Sequence, residues 1–301
     1  MKKALLFGFN HYVSQSSLRG CVNDAVSVER LLRENFNYQT RLVIDEPVNS
    51  QRFVDELVAL LAPELGETDG SRVLYYAGHG FHCYDVAPVD EADGLDELLC
   101  LPGYRYDDAG SFVVDDQIGA VLDEAAQSAP WMKVFVVFDS CHSGTAIHGI
   151  QLDWSLVETI IQKAFRVSSP LEVTLPIDDP RMAIAAVGRE AHEPLENLVQ
   201  VAEFTPIQPE TDAGGLSALA NRGAGQHLLL SGCSPNQTCK ELAIEGTYHG
   251  IFSYLLCKLT EADPAITWSA LAQALNKNIN PSFDQNPQLE GSDQLLSSSV
   301  F

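Results

Sequence analysis

The sequence predicts an α/β fold with a mostly parallel central sheet flanked by helices. Short apolar runs alternate with stretches of helical spacing through the first half of the chain. The runs are bounded by Gly, Ser and Asn, and 46% of the 301 residues are hydrophobic, enough for a substantial core. In order, Ala4 to Phe9 is a strand that Asn10-His11 ends. Asp24 to Glu34 has helical spacing through Ala25, Val28, Leu31 and Leu32, with Asp24 placed to act as an N-cap. Leu42 to Ile44 is a second strand, and Ser50 caps a helix whose face is Val54, Leu57, Val58 and Leu61. Val73 to Tyr76 is a third strand. Asp115 and Asp116 open a helix through Ile118, Val121 and Leu122, where carboxylates suit the positive end, and Val134 to Phe138 is the fourth strand. Right-handed crossovers join such strands. Leu228 to Leu230 adds another, followed by helical patterns at Gly250 to Lys258 and Trp268 to Asn276.

Between Gly149 and Gly225 the alternation breaks down. Prolines at 170, 176, 180, 194, 206 and 209 punctuate a long surface excursion. The chain therefore divides into a half carrying the first four strands (1–150), an inserted linker (151–225) and a second half (226–301).

A net charge of −23 disfavours nucleic acid and anionic membrane surfaces, which need a basic face, and favours basic ligands. The apolar run after Met1-Lys2-Lys3 is too short for a secretory or membrane segment, so a cytoplasmic location is expected. Seven cysteines, at 21, 83, 100, 141, 233, 239 and 257, form no CxxC pair and no even framework, which predicts reduced thiols. No zinc-ligand spacing and no EF-hand loop occurs.

Two segments carry reactive side chains just past an apolar run: Gly78-His79-Gly80 and Asp139-Ser140-Cys141-His142-Ser143-Gly144. Catalytic groups in open α/β sheets collect at such strand ends. A thiol becomes a strong nucleophile when a neighbouring imidazole takes its proton, so His79 and Cys141 read as a dyad. His142 is a rival base, but its adjacent position points it away from the Cys141 side chain. Histidines 11, 82, 148, 192, 227 and 249 have no such context and are assigned to surface or core packing. Residues 85–124 hold twelve Asp or Glu against one basic residue, Arg105, a density that solvent or a cation must screen. Oxygen donors of this kind suit Ca²⁺.

These segments resemble the caspase-like cysteine peptidases, and among them the metacaspases. Metacaspases carry Tyr-Ser-Gly-His-Gly and Asp-Ser-Cys-His-Ser-Gly, matched by Tyr76 to Gly80 and Asp139 to Gly144. The likeness extends to Leu18 through Ala25, Leu229 through Cys233, Gln237-Thr238 and Asn286-Pro287-Gln288. It implies a three-layer caspase-like fold and a cysteine endopeptidase working through an acyl-enzyme, with oxyanion amides at Gly80 and Cys141 and no organic cofactor. It also implies cleavage of protein substrates after Arg or Lys, in a pocket formed by Cys21, Asp24, Asp139 and Ala77, where Ala77 stands in place of the usual Ser. A carboxylate at the pocket base is what a buried guanidinium requires. The resemblance further implies activation by Ca²⁺ through Asp96 and Asp115-Asp116, with a third ligand position that falls at His148. Processing in the linker, which holds Lys163, Arg166, Arg181, Arg189 and Arg222, implies a zymogen with an activating protease or regulator as partner. Two alternatives stand beside this reading: an inactive scaffold that binds basic peptides, and a related Cys/His peptidase with Asn or Asp preference.

Overall fold

A computed structural model describes residues 1–84, 95–105, 108–141, 227–234, 237–244, 246–280 and 283–301, with backbone alone for 82–84, 95–96 and 141. Its central sheet has strand order β10-β7-β6-β3-β1-β2, formed by β1 (Lys2–Gly8), β2 (Gln39–Ile44), β3 (Gly70–Tyr84), β6 (Met132–Cys141), β7 (His227–Ser231) and β10 (Gln288–Gly291). All neighbours are parallel except the edge strand β10, antiparallel to β7. Apolar runs on both faces are what a sheet covered on both sides needs: Leu5, Leu6, Phe7, Val73, Leu74, Tyr75, Val136 and Val137 are all buried.

Helices α1 (Cys21–Phe36), α4 (Ile251–Ala262) and α5 (Trp268–Ile279) pack together in one layer, and α2 (Ser50–Leu61) and α3 (Asp115–Ser128) in another. This is the three-layer architecture expected. A short helix α6 (Asp293–Leu296) follows β10. Helix α1 ends because Asn37 adopts φ 59°, a left-handed cap that lets Tyr38 N–H reach the Leu32 carbonyl at 3.0 Å. Two expectations shift by a residue or more. Helix α2 is capped by Asn49, whose side chain accepts from the Arg52 amide at 2.9 Å, and its buried face is Phe53, Leu57, Leu60 and Leu61, with Val58 47% exposed. Asp24 does not cap α1, which starts at Gly20 without a side-chain cap.

The third strand is much longer than its apolar run. Its first part lies between β1 and β6; from Gly80 onward it pairs antiparallel with β4 (Leu95–Cys100), which in turn pairs with β5 (Phe112–Val114). His79 is thus not past a strand end but at the residue where β3 changes partners. A two-stranded hairpin, β8 (Glu241–Ile244) and β9 (Thr247–Gly250), turns at Gly246 with φ 82°.

Arg72, fully buried in β3, fastens the start of the sheet. It donates from Nε to the Leu60 carbonyl at 2.8 Å, from Nη1 to the Met1 carbonyl at 2.9 Å and from Nη2 to Glu67 at 2.8 Å. Burial acts to raise the Glu67 carboxyl, but the Arg72 hydrogen bond and the Glu64 amide outweigh it and hold it at about 2. Arg72→Met leaves the Glu67 carboxylate to the N-terminal ammonium and the Glu64 amide, both at 2.9 Å, and removes the donor to the Leu60 and Met1 carbonyls, so urea unfolding at pH 7 is expected to show a loss of about 2 kcal/mol. That contribution should fade as pH falls through 4 toward 2, where the Glu67 carboxylate is finally protonated.

Candidate active site

The parallel register of β3 and β6 ends with Ala77 opposite Asp139, Gly78 opposite Ser140 and His79 opposite Cys141. Neighbouring strands lie about 4.8 Å apart, so the backbone alone brings the predicted dyad side by side. The Cys141 side chain, Asp96 side chain, His142, His148 and the linker 151–225 with its basic residues lie outside the described residues.

Two buried tyrosines hold His79. Its amide donates to the Tyr12 hydroxyl at 2.9 Å, and the Tyr76 hydroxyl lies 2.7 Å from its carbonyl and 2.6 Å from that of Cys100. A Cβ on Gly78 would fall 2.5 Å from both hydroxyls, which explains a glycine there. The Tyr12 ring packs on the imidazole at 4.8 Å between centroids. His79 Nε2 is 2.9 Å from the Ser16 carbonyl; a carbonyl only accepts, so Nε2 carries the proton and Nδ1 is the basic nitrogen. Burial lowers the imidazole to about 4 despite that hydrogen bond. At neutral pH His79 is therefore an uncharged ring able to accept a proton.

Beside His79 is a pocket lined by Leu18, Cys21, Asp24, Gly78, Asp139, Cys239, Lys240, Glu241 and Gly250. Three carboxylates face it. Asp24, 1% exposed, accepts from the Gly250 amide and from His249 Nδ1, both at 2.8 Å. Asp139 accepts from Ser253 Oγ at 2.6 Å and from its amide at 3.3 Å, while Ser253 Oγ also contacts the Tyr75 hydroxyl at 2.6 Å. Gly250 and Ser253 bracket the start of α4, so the positive end of that helix is aimed at both aspartates. Glu241 accepts from the amides of Gly20 at 2.8 Å and Arg19 at 3.1 Å. Burial pushes all three carboxyls up, with the Asp139 charge adding to the effect at Asp24 and Glu241. Lys240 also lines the pocket, but its ammonium donates to the Thr238 hydroxyl. The wall has no room to spare: a Cβ on Gly250 would sit 2.5 Å from Asp139 Oδ2.

Cys21, Asp24 and Asp139 are thus gathered around one cavity. Ala77 is fully buried opposite Asp139 and is not among the lining residues. Gly80 lies in the β3–β4 ladder opposite Leu99. Sequence reading passed over Glu241, Cys239 and Ser253, and it assigned His249 to ordinary packing. The findable signal was Gly246 between two short segments, which marks a hairpin that delivers Glu241 and His249. Asp115, buried at the start of α3, accepts the Asp116 amide at 3.0 Å. These are hard oxygen donors, the kind Ca²⁺ takes. Among the described residues, however, no three His, Cys, Asp or Glu side chains are grouped to hold a metal.

Residues 2–149 match the family described as metacaspase, peptidase C14 domain. Over 98% of its length the chain is 23% identical to Metacaspase-1 of Schizosaccharomyces pombe, covering 68% of that protein, and over 97% it is 27% identical to Metacaspase-1 of Yarrowia lipolytica, covering 61%. It therefore spans roughly two thirds of these relatives. Caspase-1 from Spodoptera frugiperda has the same fold at a TM-score of 0.54 and 10% identity, over 96% of this chain and 85% of that one.

The imidazole assignment has a direct check. In an NMR titration the His79 ring resonances should move with a midpoint near 4, not near the ordinary 6.5. Between those values the unfolded chain binds the proton that the folded chain refuses, so the contribution of His79 to stability shrinks as pH falls from about 6.5 to about 4.

Proposed function

Because this chain belongs to the metacaspase peptidase C14 family of cysteine peptidases, we propose that it cleaves proteins after Arg or Lys with Cys141 as nucleophile and His79 as base. The observation that carries the reading is the position of three carboxylates, the buried Asp24 and Asp139 and the half-buried Glu241, in one pocket next to His79 and the end of β6. Carboxylates kept in a dry cavity gain most from a cation that enters it, and a guanidinium can bridge two of them. A substrate that seats its basic side chain there brings the following carbonyl to the β3–β6 junction.

His79 Nδ1 then takes the thiol proton of Cys141, the sulfur attacks the carbonyl carbon, and the Gly80 and Cys141 amides receive the oxyanion. The proton returns from His79 to the leaving amine, and the acyl-enzyme is hydrolysed by a water that His79 deprotonates. A neutral imidazole at working pH is suited to both transfers.

Kinetics test the assignment. Cys141→Ala and His79→Ala should each lower kcat by on the order of 10⁴-fold or more while the fold persists, since nucleophile and base act as one unit. Asp139→Asn and Glu241→Gln should each lower kcat/KM on Arg peptides by roughly 10- to 100-fold, the cost of removing one charged partner from a desolvated pair. A positional peptide library that is cut after Asp or Asn contradicts the pocket reading. A protein that binds Arg peptides without cutting them is the scaffold alternative.

The reading extends to Ca²⁺ held by Asp96, Asp115 and Asp116. Calorimetric titration with CaCl₂ should show binding that Asp115→Asn with Asp116→Asn removes; identical heats in the two proteins contradict it.

A further inference from the structure

The segment after β7 folds back over the end of β6 and brings two thiols into contact. Cys233 Sγ and Cys239 Sγ are 3.4 Å apart. Both lie within donor reach of the carbonyl of Ser140, the residue before Cys141, Cys233 at 3.6 Å and Cys239 at 3.3 Å. Cys239 also lines the carboxylate pocket and hydrogen-bonds Asp139. Its sulfur occupies the space where a Cβ on Gly232 would come within 2.8 Å.

The pair is held from both sides. Gln285, fully buried, donates to the Gly232 carbonyl at 2.8 Å and accepts from the Lys240 amide at 3.0 Å, so one side chain clasps the residues flanking the two cysteines. Gln237 fixes the loop between them by accepting from the Asn286 amide at 2.8 Å. Two sulfurs restrained in contact need to approach by only about 1.4 Å to reach disulfide length, and the loop-ordering cost is already met. Cys100 and Cys257, elsewhere in the core, are buried thiols.

We propose that Cys233 and Cys239 are a peroxide-oxidised pair whose disulfide weakens the neighbouring pocket's grip on a basic side chain. Cys239, the less buried of the two, attacks one peroxide oxygen as a thiolate; the O–O bond breaks, leaving a sulfenic acid and one water after protonation. The Cys233 sulfur then attacks the sulfenic sulfur, the S–S bond forms and a second water leaves. Two thiols and one peroxide thus give one disulfide and two waters. The bridge removes both S–H protons, so the Ser140 carbonyl and Asp139 lose the two thiol donors they share, and it pulls on the segment that carries Lys240 and Glu241. This readout rests on the pocket reading above; the thiol chemistry does not.

The test uses the full-length Cys141→Ala protein, so that the nucleophile cannot be the oxidised group. After hydrogen peroxide and alkylation, peptide mass spectrometry should find Cys233 joined to Cys239, reversibly with dithiothreitol. Calorimetry with N-acetyl-arginine methylamide should show roughly tenfold weaker binding in the oxidised protein, the scale set by losing one hydrogen bond to a charged group. Dithiothreitol should restore it, and peroxide should leave affinity unchanged when Cys233→Ala is added. Alkylation of both thiols after peroxide, or a bridge to another cysteine, overturns the proposal, as does a 233–239 bridge with unaltered affinity. If the reduced protein does not bind the arginine amide, the pocket reading fails, and the cross-link mass alone decides the thiol chemistry.

Discussion

The parallel pairing of β3 with β6 is the constraint on which the site depends. It runs in register from Gly70 opposite Met132 to His79 opposite Cys141, and a slip of one residue would turn the side chains of one strand to the other face. The buried aromatic and aliphatic residues along both strands fix that register because each must meet the core. Arg72 ties one end of β3 to the neighbouring backbone, and Tyr12 with Tyr76 ties the other at His79. The base is therefore positioned by main-chain contacts that do not depend on its own titration.

A second constraint comes from the far end of the sequence. Helix α4 aims its first turn at Asp24 from the first helix and Asp139 from β6, and the β8–β9 hairpin adds Glu241. Carboxylates crowded in this way oppose folding as they ionise, which is why each is met by backbone or hydroxyl donors. Carboxylates gathered in this way suit a positive guest, which is the basis of the proposed preference for Arg or Lys. Cys239 lines this pocket beside Asp139 and also meets the sulfur of Cys233.

Much of the fold was legible because long apolar runs and helical spacing are local signals. The four strands and flanking helices of the first half fall where periodicity puts them, and the placement of Asp115 and Asp116 at the start of α3 follows from the helix dipole. Boundaries failed where tertiary contacts set them. The third strand outlasts its apolar run because β4 offers it a second partner, and α2 turned its buried face to Phe53 and Leu60 because the core lies on that side. In the site, His79, Cys21, Asp24 and Asp139 stood out by motif. Glu241, Cys239 and His249 did not, since nothing local distinguishes a short polar hairpin that a distant helix presses into a pocket.

In the proposed mechanism a basic side chain in the three-carboxylate pocket delivers a carbonyl to Cys141. Labelling with a peptidyl arginine chloromethyl ketone probes both halves of that step at once, because the reagent needs the pocket and the activated thiol. Intact and peptide mass spectrometry should show one adduct, on Cys141, formed much more slowly in Asp139→Asn and His79→Ala proteins. Labelling of Cys21, Cys233 or Cys239 instead, or a rate indifferent to Asp139 and His79, would contradict it.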